Sequence, residues 1–397
     1  MATMRPSLPI EIQATAPLPL GMPPRRFLRD YWQKHPLLIR NAFPGYRPPI
    51  SPDELAGLAC EDGALARLIV RDREHDRWHV RSGPLSEEDF ATTPPRDWTL
   101  LVQDVDKWDT EMAALLDHFA FLPTWRIDDI MISYAEDGGG VGAHVDEYDV
   151  FLLQAIGHRR WSIDARNNPP LAFRPDVELK QLAQFMPSHT WVLQPGDMLY
   201  LPPGVPHDGV AEGDCMTISV GMRAPSEAEL LLDLSEHIAE QRPESLRYTD
   251  PDLAPAARTG EIDAKALARA AATLRPLSNI LDATDFADWF GRFITRYRSA
   301  RVAAPPPRLP RAATLARALE QGMDLVRHPW SRYAWTGHGR DARLFVAGDA
   351  WRCSRALAKT LCGTREIHLD AGSVQEADRA VLLALLQAGH LLRRRRR

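Results

Sequence analysis

The sequence predicts an α+β protein in which a strand-rich domain precedes a helical segment and a small mixed module. Three patterns predict this order. Short strand-like segments separated by turns follow one another from Ile127 to Met222, which is typical of an antiparallel sandwich or small barrel. Helical periodicity replaces them after Met222. The run RVAAPPPRLPR at 301–311 then sets off the last part of the chain, because consecutive prolines favour an extended, semi-rigid path.

Length and composition are those of a globular protein with more than one domain. The chain has 397 residues, 45% of them hydrophobic and 25% charged, which is long enough for two or three domains. Its four cysteines lack paired spacing, so neither a thiolate zinc site nor a disulfide framework is favoured and a cytoplasmic location is expected. No stretch approaches the roughly 20 apolar residues of a membrane span, and the proline-interrupted N-terminus does not resemble a secretory signal.

Charge is distributed unevenly along the chain. The net charge is −5, but residues 301–397 carry 18 Lys and Arg against 8 Asp and Glu, a balance of +10 that leaves −15 for residues 1–300. The acidic part is expected to attract basic partners. The last five residues are all arginine, and for this run a solvated chain end is favoured over a specific RNA contact.

The first part of the chain alternates short helices and strands. A helix is predicted from Arg26 until Pro36 stops it, and a second one at 52–59. Asp109 is expected to cap a helix that runs to about Phe119, since its side chain can accept from the unpaired amides of the first turn. Strands are predicted at 37–40, 65–70, 77–80 and 98–105, and then at 129–134, 148–155, 160–163, 191–193, 197–201 and 216–222.

The second half of the chain is predicted to be largely helical. Ser226 and Glu229 form a capping-box pair at the start of a helix that reaches about residue 240, and a further helix is predicted at 264–274. A helix at 285–299 carries an aromatic stripe, for which an intramolecular core is favoured over a homodimer contact.

The elements beyond the proline-rich run are consistent with a winged helix. Because the predicted helices lack a basic face, a structural or protein-docking role is favoured over DNA binding. Helices are predicted at 312–322, 354–361 and 374–387, and strands at 343–347 and 366–369.

The segment 138–161, GGGVGAHVDEYDVFLLQAIGHRRW, has the pattern of a metal site. Side chains two apart on an extended segment point to one face, so His144 and Asp146 are expected to converge. His207, at the end of LYLPPGVPH, is the expected third ligand, because its prolines restrict where the imidazole points. Two histidines and one carboxylate leave three positions open on octahedral ferrous iron. An isolated HxD is more often a surface pair. Here the HxD motif lies in a strand-rich region and is followed by the proline corner that ends at His207, and this combination favours the metal site.

Three open positions suit a bidentate 2-oxo acid together with dioxygen. If 2-oxoglutarate binds through its ketone and adjacent carboxylate, its far carboxylate needs a cation, and a guanidinium matches its geometry. Arg159 and Arg160 are the two candidates. Alternation along a strand places them on opposite faces, so one is expected to be buried and the other solvated. The residue pattern alone leaves the choice between them open.

The runs SYAEDGGGVGAHVDEYDVFLLQAIGHRRW, FLRDYWQKHPLLIR and WTLLVQDVDKW closely resemble the bacterial members of the JmjC ribosomal oxygenases. These are cupin-like dioxygenases that use iron(II), 2-oxoglutarate and O2 to hydroxylate an arginine of the large-subunit ribosomal protein numbered sixteen. The resemblance implies that His144, Asp146 and His207 bind iron, with His144 also bordering the cosubstrate. It further implies that Ser133 and Arg159 hold the far carboxylate, which favours Arg159 over Arg160.

The same resemblance implies a domain order. The expected fold is α+β, with a double-stranded β-helix (cupin/JmjC jelly-roll) catalytic domain, a helical dimerisation region and a C-terminal winged-helix-like domain. The corresponding segments are an N-terminal extension at 1–25, the catalytic domain at 26–223, the helical region at 224–300, a proline-rich linker at 301–311 and the winged-helix-like domain at 312–397. It implies a homodimer that binds a ribosomal protein, whereas the residue patterns above predict a cytoplasmic location and no binding to membrane or to specific DNA.

Two other functions stay open. One is the same oxygenase chemistry on another residue, such as histidine, or on another protein. The other is a metal-binding cupin without oxygenase activity, acting as an interaction module or an isomerase; the presence of Ser133 and Arg159 beside the metal-site pattern argues against it. Acidic residues near the expected mouth are candidates to attract a basic substrate, although a solvated surface role is favoured for each: Glu136, Asp137, Glu147 and Asp149.

Overall fold

A computed structural model describes residues 8–15, 18–242, 264–274, 284–298 and 300–394, together with 247, 249–251 and 262. The chain divides into two compact units, Met1–Ala224 and Pro225–Arg397. Within the described residues, no helix has both the length and the apolar character needed to cross a membrane. The finer domain boundaries stay predictions.

The first unit contains a large sheet and several short helices. Its strands β1 to β10 are Glu11–Gln13, Leu37–Arg40, Ala66–Asp72, Arg77–Ser82, Trp98–Val102, Ile127–Ala135, Val150–Ile163, His189–Leu193, Met198–Leu201 and His207–Met222. Its helices α1 to α5 are Pro24–Asp30, Pro52–Ala59, Glu87–Ala91, Val105–Trp108 and Thr110–Ala114, and 3₁₀ turns lie at Leu115–Phe119 and Thr124–Arg126.

These strands form one sheet in the order β1-β2-β9-β7-β10-β6-β5-β3-β4, with β8 also paired to β7. The pairs are antiparallel except for β1 with β2. Neighbours in the sheet are mostly distant in sequence, which is the connectivity of a jelly roll. The long strands β7, β10 and β6 lie side by side, so residues on one of their faces can converge on a single cavity.

Aromatic side chains fix the first helix against this sheet. Phe27 of α1 lies fully buried between Phe151 of β7 and Tyr200 of β9. Its ring centroid is 5.7 Å from that of Phe151 and 4.9 Å from that of Tyr200. Aromatic pairs at these distances add about 0.5–1.5 kcal/mol beyond the burial of their area. This cluster holds β7 in place, and β7 carries part of the candidate site.

Several elements of the first unit differ from their sequence predictions. The two strands predicted at 148–155 and 160–163 are the single strand β7, which continues through Gly157 at φ +62° because a bulge opposite β10 accommodates it. The strand predicted at 98–105 ends at Val102, and the helix predicted from Arg26 to Pro36 ends at Asp30. Asp109 caps α5 as predicted, with its carboxylate accepting from the Met112 amide at 2.6 Å.

The second unit combines helices with two small sheets. Its helices α6 to α11 are Glu227–Glu240, Ala264–Leu274, Thr284–Arg296, Ala312–Glu320, Arg355–Gly363 and Glu376–Gln387. Its strands β11 to β16 are Met323–Arg327, Tyr333–His338, Asp341–Val346, Asp349–Ser354, Glu366–Leu369 and Leu391–Arg393. The strand orders are β15-β11-β16 and β12-β13-β14. The predicted capping box at Ser226 and Glu229 is present at the start of α6.

The aromatic stripe on α8 lies inside the second unit. Trp289, Phe293 and Ile294 are buried, and Gly291 approaches the Phe345 ring of β13 so closely that a Cβ would lie 2.4 Å from it. The favoured interpretation of the stripe as intramolecular core is therefore confirmed for these residues. The sequence prediction of this unit missed the four short strands β11, β12, β14 and β16.

Candidate active site

The structure brings His144, Asp146 and His207 together. One ligand atom from each residue lies within 4.8 Å of the other two, and within the described part of the chain no other set of three such side chains has this spacing. His207 Nε2 is 3.6 Å from a carboxylate oxygen of Asp146, and the two imidazole centroids are 4.2 Å apart. The three side chains are thus close enough to share one ion.

Backbone hydrogen bonds, and not a strand, hold the two histidines opposite each other. His144 lies ahead of β7 in an isolated antiparallel bridge with His207, and each backbone N–H donates to the other carbonyl at 2.9 Å. The Gly204 N–H donates to the Asp146 carbonyl at 2.8 Å. His144 and Asp146, which were expected to converge because they lie two apart on an extended segment, thus precede β7 and belong to no regular strand. A tertiary bridge to the proline corner brings His144 and Asp146 beside His207.

Both imidazoles present the same nitrogen to the centre of the cluster. His144 Nδ1 is 2.9 Å from the Gly142 carbonyl oxygen, and His207 Nδ1 is 2.9 Å from that of Val205. Because a carbonyl oxygen only accepts, each Nδ1 carries the hydrogen and each Nε2 keeps its lone pair. Burial, reinforced by the neighbouring His144, lowers the pKa of His207 to about 4. Two imidazoles with one carboxylate form the donor set that ferrous iron accepts.

The cluster opens into a cavity of about 450 Å³. Its walls come from β3 to β7, from β10 and from residues 178–181, which lie between β7 and β8. The indole of Trp161 forms part of the wall. Its ring centroid is 5.9 Å from that of His207, and the guanidinium carbon of Arg159 lies 5.6 Å from the Trp161 ring centroid. The cavity therefore extends from the three-residue cluster toward a buried cation.

Arg159 and Ser133 meet in this cavity. Arg159 is 4% exposed, and its Nη1 donates to Ser133 Oγ at 2.8 Å and to Thr217 Oγ1 at 3.2 Å. Its Nε has no hydrogen-bond partner, and among the described residues no carboxylate lies within 4 Å of the guanidinium. A buried cation with an unfilled donor is unfavourable until an anion completes it. The pair fits the far carboxylate of a dicarboxylic acid.

The neighbouring Arg160 points away from the cavity. Its side chain is about half exposed and pairs with Glu212 at 3.2 Å. The alternation predicted for the two arginines is therefore confirmed, with Arg159 buried and Arg160 solvated.

Sequence reasoning missed polar residues on the cavity face of β6 and β10. Asp129 lines the cavity with Ser133, and alternation along β6 from Ser133 would have found it. Burial raises the pKa of Asp129 to about 7 in spite of the nearby Lys107 charge. Thr217 of β10 joins the Arg159 network and donates to Gln154 at 3.0 Å; that contact depends on strand pairing and has no signal in the sequence.

Asp149 does not lie at the mouth of the cavity, so that prediction was wrong. Its carboxylate is fully buried, where it accepts from the Tyr200 hydroxyl at 2.6 Å and from Gln33 Nε2 at 2.9 Å. Arg126 lies 3.3 Å from the same carboxylate. This acid ties the start of β7 to the N-terminal segment and is not available to a substrate.

Family models match the chain in the expected order. The JmjC domain matches residues 114–230, the ROXA-like winged helix matches residues 278–392, and the AraC-like ligand binding domain matches residues 188–283. The first two correspond to the jelly roll with its three-residue cluster and to most of the second unit.

Known proteins resemble the chain over most of its length. The ribosomal protein uL16 3-hydroxylase of Escherichia coli (strain K12) is 38% identical over 301 residues, which cover 76% of this chain and 79% of the relative. A probable ribosomal oxygenase of Haemophilus influenzae is 41% identical over 239 residues, 59% of this chain and 58% of the relative.

Solved structures agree with these relatives. The crystal structure of the Escherichia coli ribosomal oxygenase YcfD matches with a TM-score of 0.79 at 34% identity, and the match covers 94% of this chain and 98% of that chain. A structure of YcfD in complex with cobalt and 2-oxoglutarate matches with a TM-score of 0.78, at the same identity and coverage. The chain therefore belongs to the JmjC-domain ribosomal oxygenases.

Proposed function

We propose that the chain is a 2-oxoglutarate- and Fe(II)-dependent hydroxylase of an arginine side chain in a large-subunit ribosomal protein. The observation that carries the proposal is the buried Arg159 guanidinium, with an unfilled donor, in the same cavity as His144, Asp146 and His207. In this proposal the three clustered residues hold the iron, and Arg159 with Ser133 holds the far carboxylate of 2-oxoglutarate.

The bound metal with 2-oxoglutarate and dioxygen would supply the oxidant that converts C–H to C–OH, while 2-oxoglutarate becomes succinate and carbon dioxide. The residues of the chain bind and orient the reactants. The two Nε2 atoms and the Asp146 carboxylate would hold the ion, and a set of only three protein ligands would leave coordination positions for the cosubstrate and dioxygen. The Trp161 indole, beside both His207 and Arg159, excludes water along the cosubstrate.

Asp129 supports a cationic target side chain. A substrate guanidinium in the cavity would find this carboxylate, and carboxylate–guanidinium pairs form paired hydrogen bonds. Burial is the largest cause that raises the pKa of Asp129 to about 7, and an adjacent cation would favour its charged form. This favours arginine over the neutral imidazole of the alternative target, histidine. The name of the Escherichia coli relative, a uL16 3-hydroxylase, supports a protein of the large ribosomal subunit.

The domain boundaries and the assembly belong to the same proposal. We infer a catalytic domain at 26–223, a helical dimerisation region at 224–300 and a winged-helix-like domain at 312–397, acting as a homodimer in the cytoplasm, where its ribosomal substrate is made. Leu231 and Leu232 of α6 are 58% and 70% exposed. A partner copy that covered this apolar pair would gain the free energy of its burial.

The test combines spectroscopy with substrate analysis. Anaerobic protein with Fe(II) and 2-oxoglutarate is expected to show a metal-to-ligand charge-transfer band, and aerobic incubation with ribosomal proteins is expected to add the mass of one oxygen to an arginine. His144→Ala should lose the band and the product, whereas Arg160→Ala should keep both. Absence of the band and of succinate in the unmodified protein would overturn the oxygenase. If oxygen were added to a residue other than arginine, the assignment of arginine as the target would be wrong, whereas the oxygenase activity would stand.

A further inference from the structure

Residues 172–183, which we call the flap, form a narrow hairpin between β7 and β8. The Ala183 N–H donates to the Ala172 carbonyl and the Arg174 N–H to the Gln181 carbonyl, each at 2.8 Å. Residues 178–181 of the flap line the cavity that contains the three clustered side chains. The flap thus forms part of the cavity wall and can contact the neighbouring segments that carry the clustered side chains.

The flap grips the glycine-rich loop that precedes His144. Gln181 Nε2 donates to the Val141 carbonyl at 2.8 Å, and the Leu182 N–H donates to the Ala143 carbonyl at 2.8 Å. Gln181 is 4% exposed although its side chain is polar and lies outside the sheet. The two hydrogen bonds fix the peptide groups on either side of Gly142.

Gly142 lies between the hydrogen bonds from the flap and the imidazole of His144. Its φ is +80°, and a Cβ at this position would lie 2.6 Å from Gln181 Nε2, so both the backbone conformation and the close approach require glycine. The Gly142 carbonyl accepts the hydrogen of His144 Nδ1 at 2.9 Å. Gln181 therefore holds the Val141 carbonyl, one residue before the Gly142 carbonyl that sets the tautomer and the orientation of His144.

The two histidines obtain their orientation in different ways. His207 donates to the Val205 carbonyl inside the corner PPGVP, where three prolines fix φ covalently. His144 follows the loop GGGVG, whose four glycines allow the backbone many conformations. Because the local sequence cannot hold the Gly142 carbonyl in place, tertiary contacts must do so. One of these contacts is the hydrogen bond from the buried side chain of Gln181 to the Val141 carbonyl.

We propose that Gln181 is a positioning residue for His144. Its side-chain amide holds the Val141–Ala143 segment so that the Gly142 carbonyl keeps His144 Nε2 directed at the metal. The inference rests on the proposed role of His144 as a metal ligand. Direct hydrogen-bond partners of metal-binding residues commonly change metal affinity by about 10- to 100-fold when they are removed, and Gln181 holds the segment that provides this partner to His144.

The test measures the affinity of the full-length protein for Mn(II), from the electron paramagnetic resonance signal of the unbound ion. Gln181→Leu keeps the buried volume and removes the donor, and its affinity is expected to fall at least about tenfold. Gln181→Glu is a second, isosteric variant that places a carboxylate against the Val141 carbonyl, and the same loss is expected. Thermal unfolding of the metal-free variants shows whether each is folded.

Arg174→Ala is the matched control within the flap. It removes the ion pair of the flap with Asp76 at 2.8 Å and leaves the bonds to the glycine-rich loop intact, so its Mn(II) affinity is expected to stay within about twofold of wild type. Wild-type affinity in folded Gln181→Leu or Gln181→Glu, or an equal loss in Arg174→Ala, would overturn the role of Gln181. If the unmodified protein bound no Mn(II), the proposed metal site would fall and this inference with it.

Discussion

At the scale of single residues, Arg159 is the group whose surroundings are least complete. Its guanidinium is buried, donates to two neutral hydroxyl groups and keeps an Nε without a partner. An unpaired buried charge costs several kcal/mol, while each hydrogen bond from a charged group returns about 1.5–3 kcal/mol. Arg159 therefore lowers the stability of the cosubstrate-free protein, and it gains favourable hydrogen bonds when a carboxylate binds beside it.

We expect Arg159→Met to separate these two quantities. The methionine fills the space without the charge, so the cosubstrate-free protein should unfold at an equal or higher temperature. Affinity for 2-oxoglutarate should fall at least about 100-fold, because two charge-assisted hydrogen bonds are lost. Calorimetric unfolding and a 2-oxoglutarate titration measure the two effects. Arg160→Met is the control, and a destabilised Arg159→Met with unchanged 2-oxoglutarate affinity would contradict the assignment.

At the scale of elements, the start of α6 is held by one carboxylate with several donors. Glu229 accepts from the Ser226 backbone N–H and from the Tyr297 hydroxyl, each at 2.8 Å, and pairs with Arg298 at 2.8 Å. Burial acts to raise the pKa of this carboxyl, but the donors outweigh burial and lower the pKa from 4.5 to about 2. The charged form of Glu229 therefore stabilises the second unit, where it joins α6 to the two residues that follow α8.

The sign of this shift predicts an acid-sensitive contribution to stability. Because the folded pKa lies below the unfolded one, the contribution is complete above pH about 4.5 and is lost as the pH falls toward about 2. We expect wild type to be more stable than Glu229→Gln at pH 7 and the difference to shrink between these two values. Thermal unfolding of both proteins across this range measures it. A difference that does not change with pH would contradict the assigned pKa.

At the scale of the whole molecule, the candidate site lies in an acidic unit. Residues 1–224 carry 21 Lys and Arg against 32 Asp and Glu, a balance of −11, whereas residues 301–397 carry +10. Charges of one sign around a cavity raise the local concentration of oppositely charged ligands. The charge balance therefore favours the approach of a basic substrate segment, such as the ribosomal protein segment of the proposed function, to the unit that contains the candidate active site.

We expect this attraction to depend on salt. Raising the ionic strength from about 0.01 M to about 0.15 M shortens the screening length from about 30 Å to about 8 Å, so KM for a basic substrate peptide should rise several-fold. The KM for 2-oxoglutarate should change less, because Arg159, the cation proposed to bind it, is buried and is therefore screened less by salt. Steady-state assays at the two salt concentrations compare them, with a peptide whose flanking lysines are replaced by glutamine as control. Equal salt dependence of both peptides would exclude steering by charge.

The jelly roll, the winged-helix-like module and the family could be predicted because their signals are local or carried by contiguous motifs. Strand alternation predicted that Arg159 and Arg160 face opposite ways. Boundaries were less predictable: the turn-like Gly157 lies inside β7 because a bulge accommodates it. Asp149 looked like a surface acid, yet Tyr200 and Gln33, both distant in sequence, surround it.

The sequence by itself determined which groups are present: two histidines and an aspartate at the expected spacing, a proline corner before His207 and a glycine-rich loop before His144. Only the tertiary structure decided how they are oriented. Prolines fix backbone angles through covalent bonds, so the corner can be read from the chain. Glycines leave those angles open, so the direction of His144 depends on its bridge to His207 and on the amide of Gln181 in the flap.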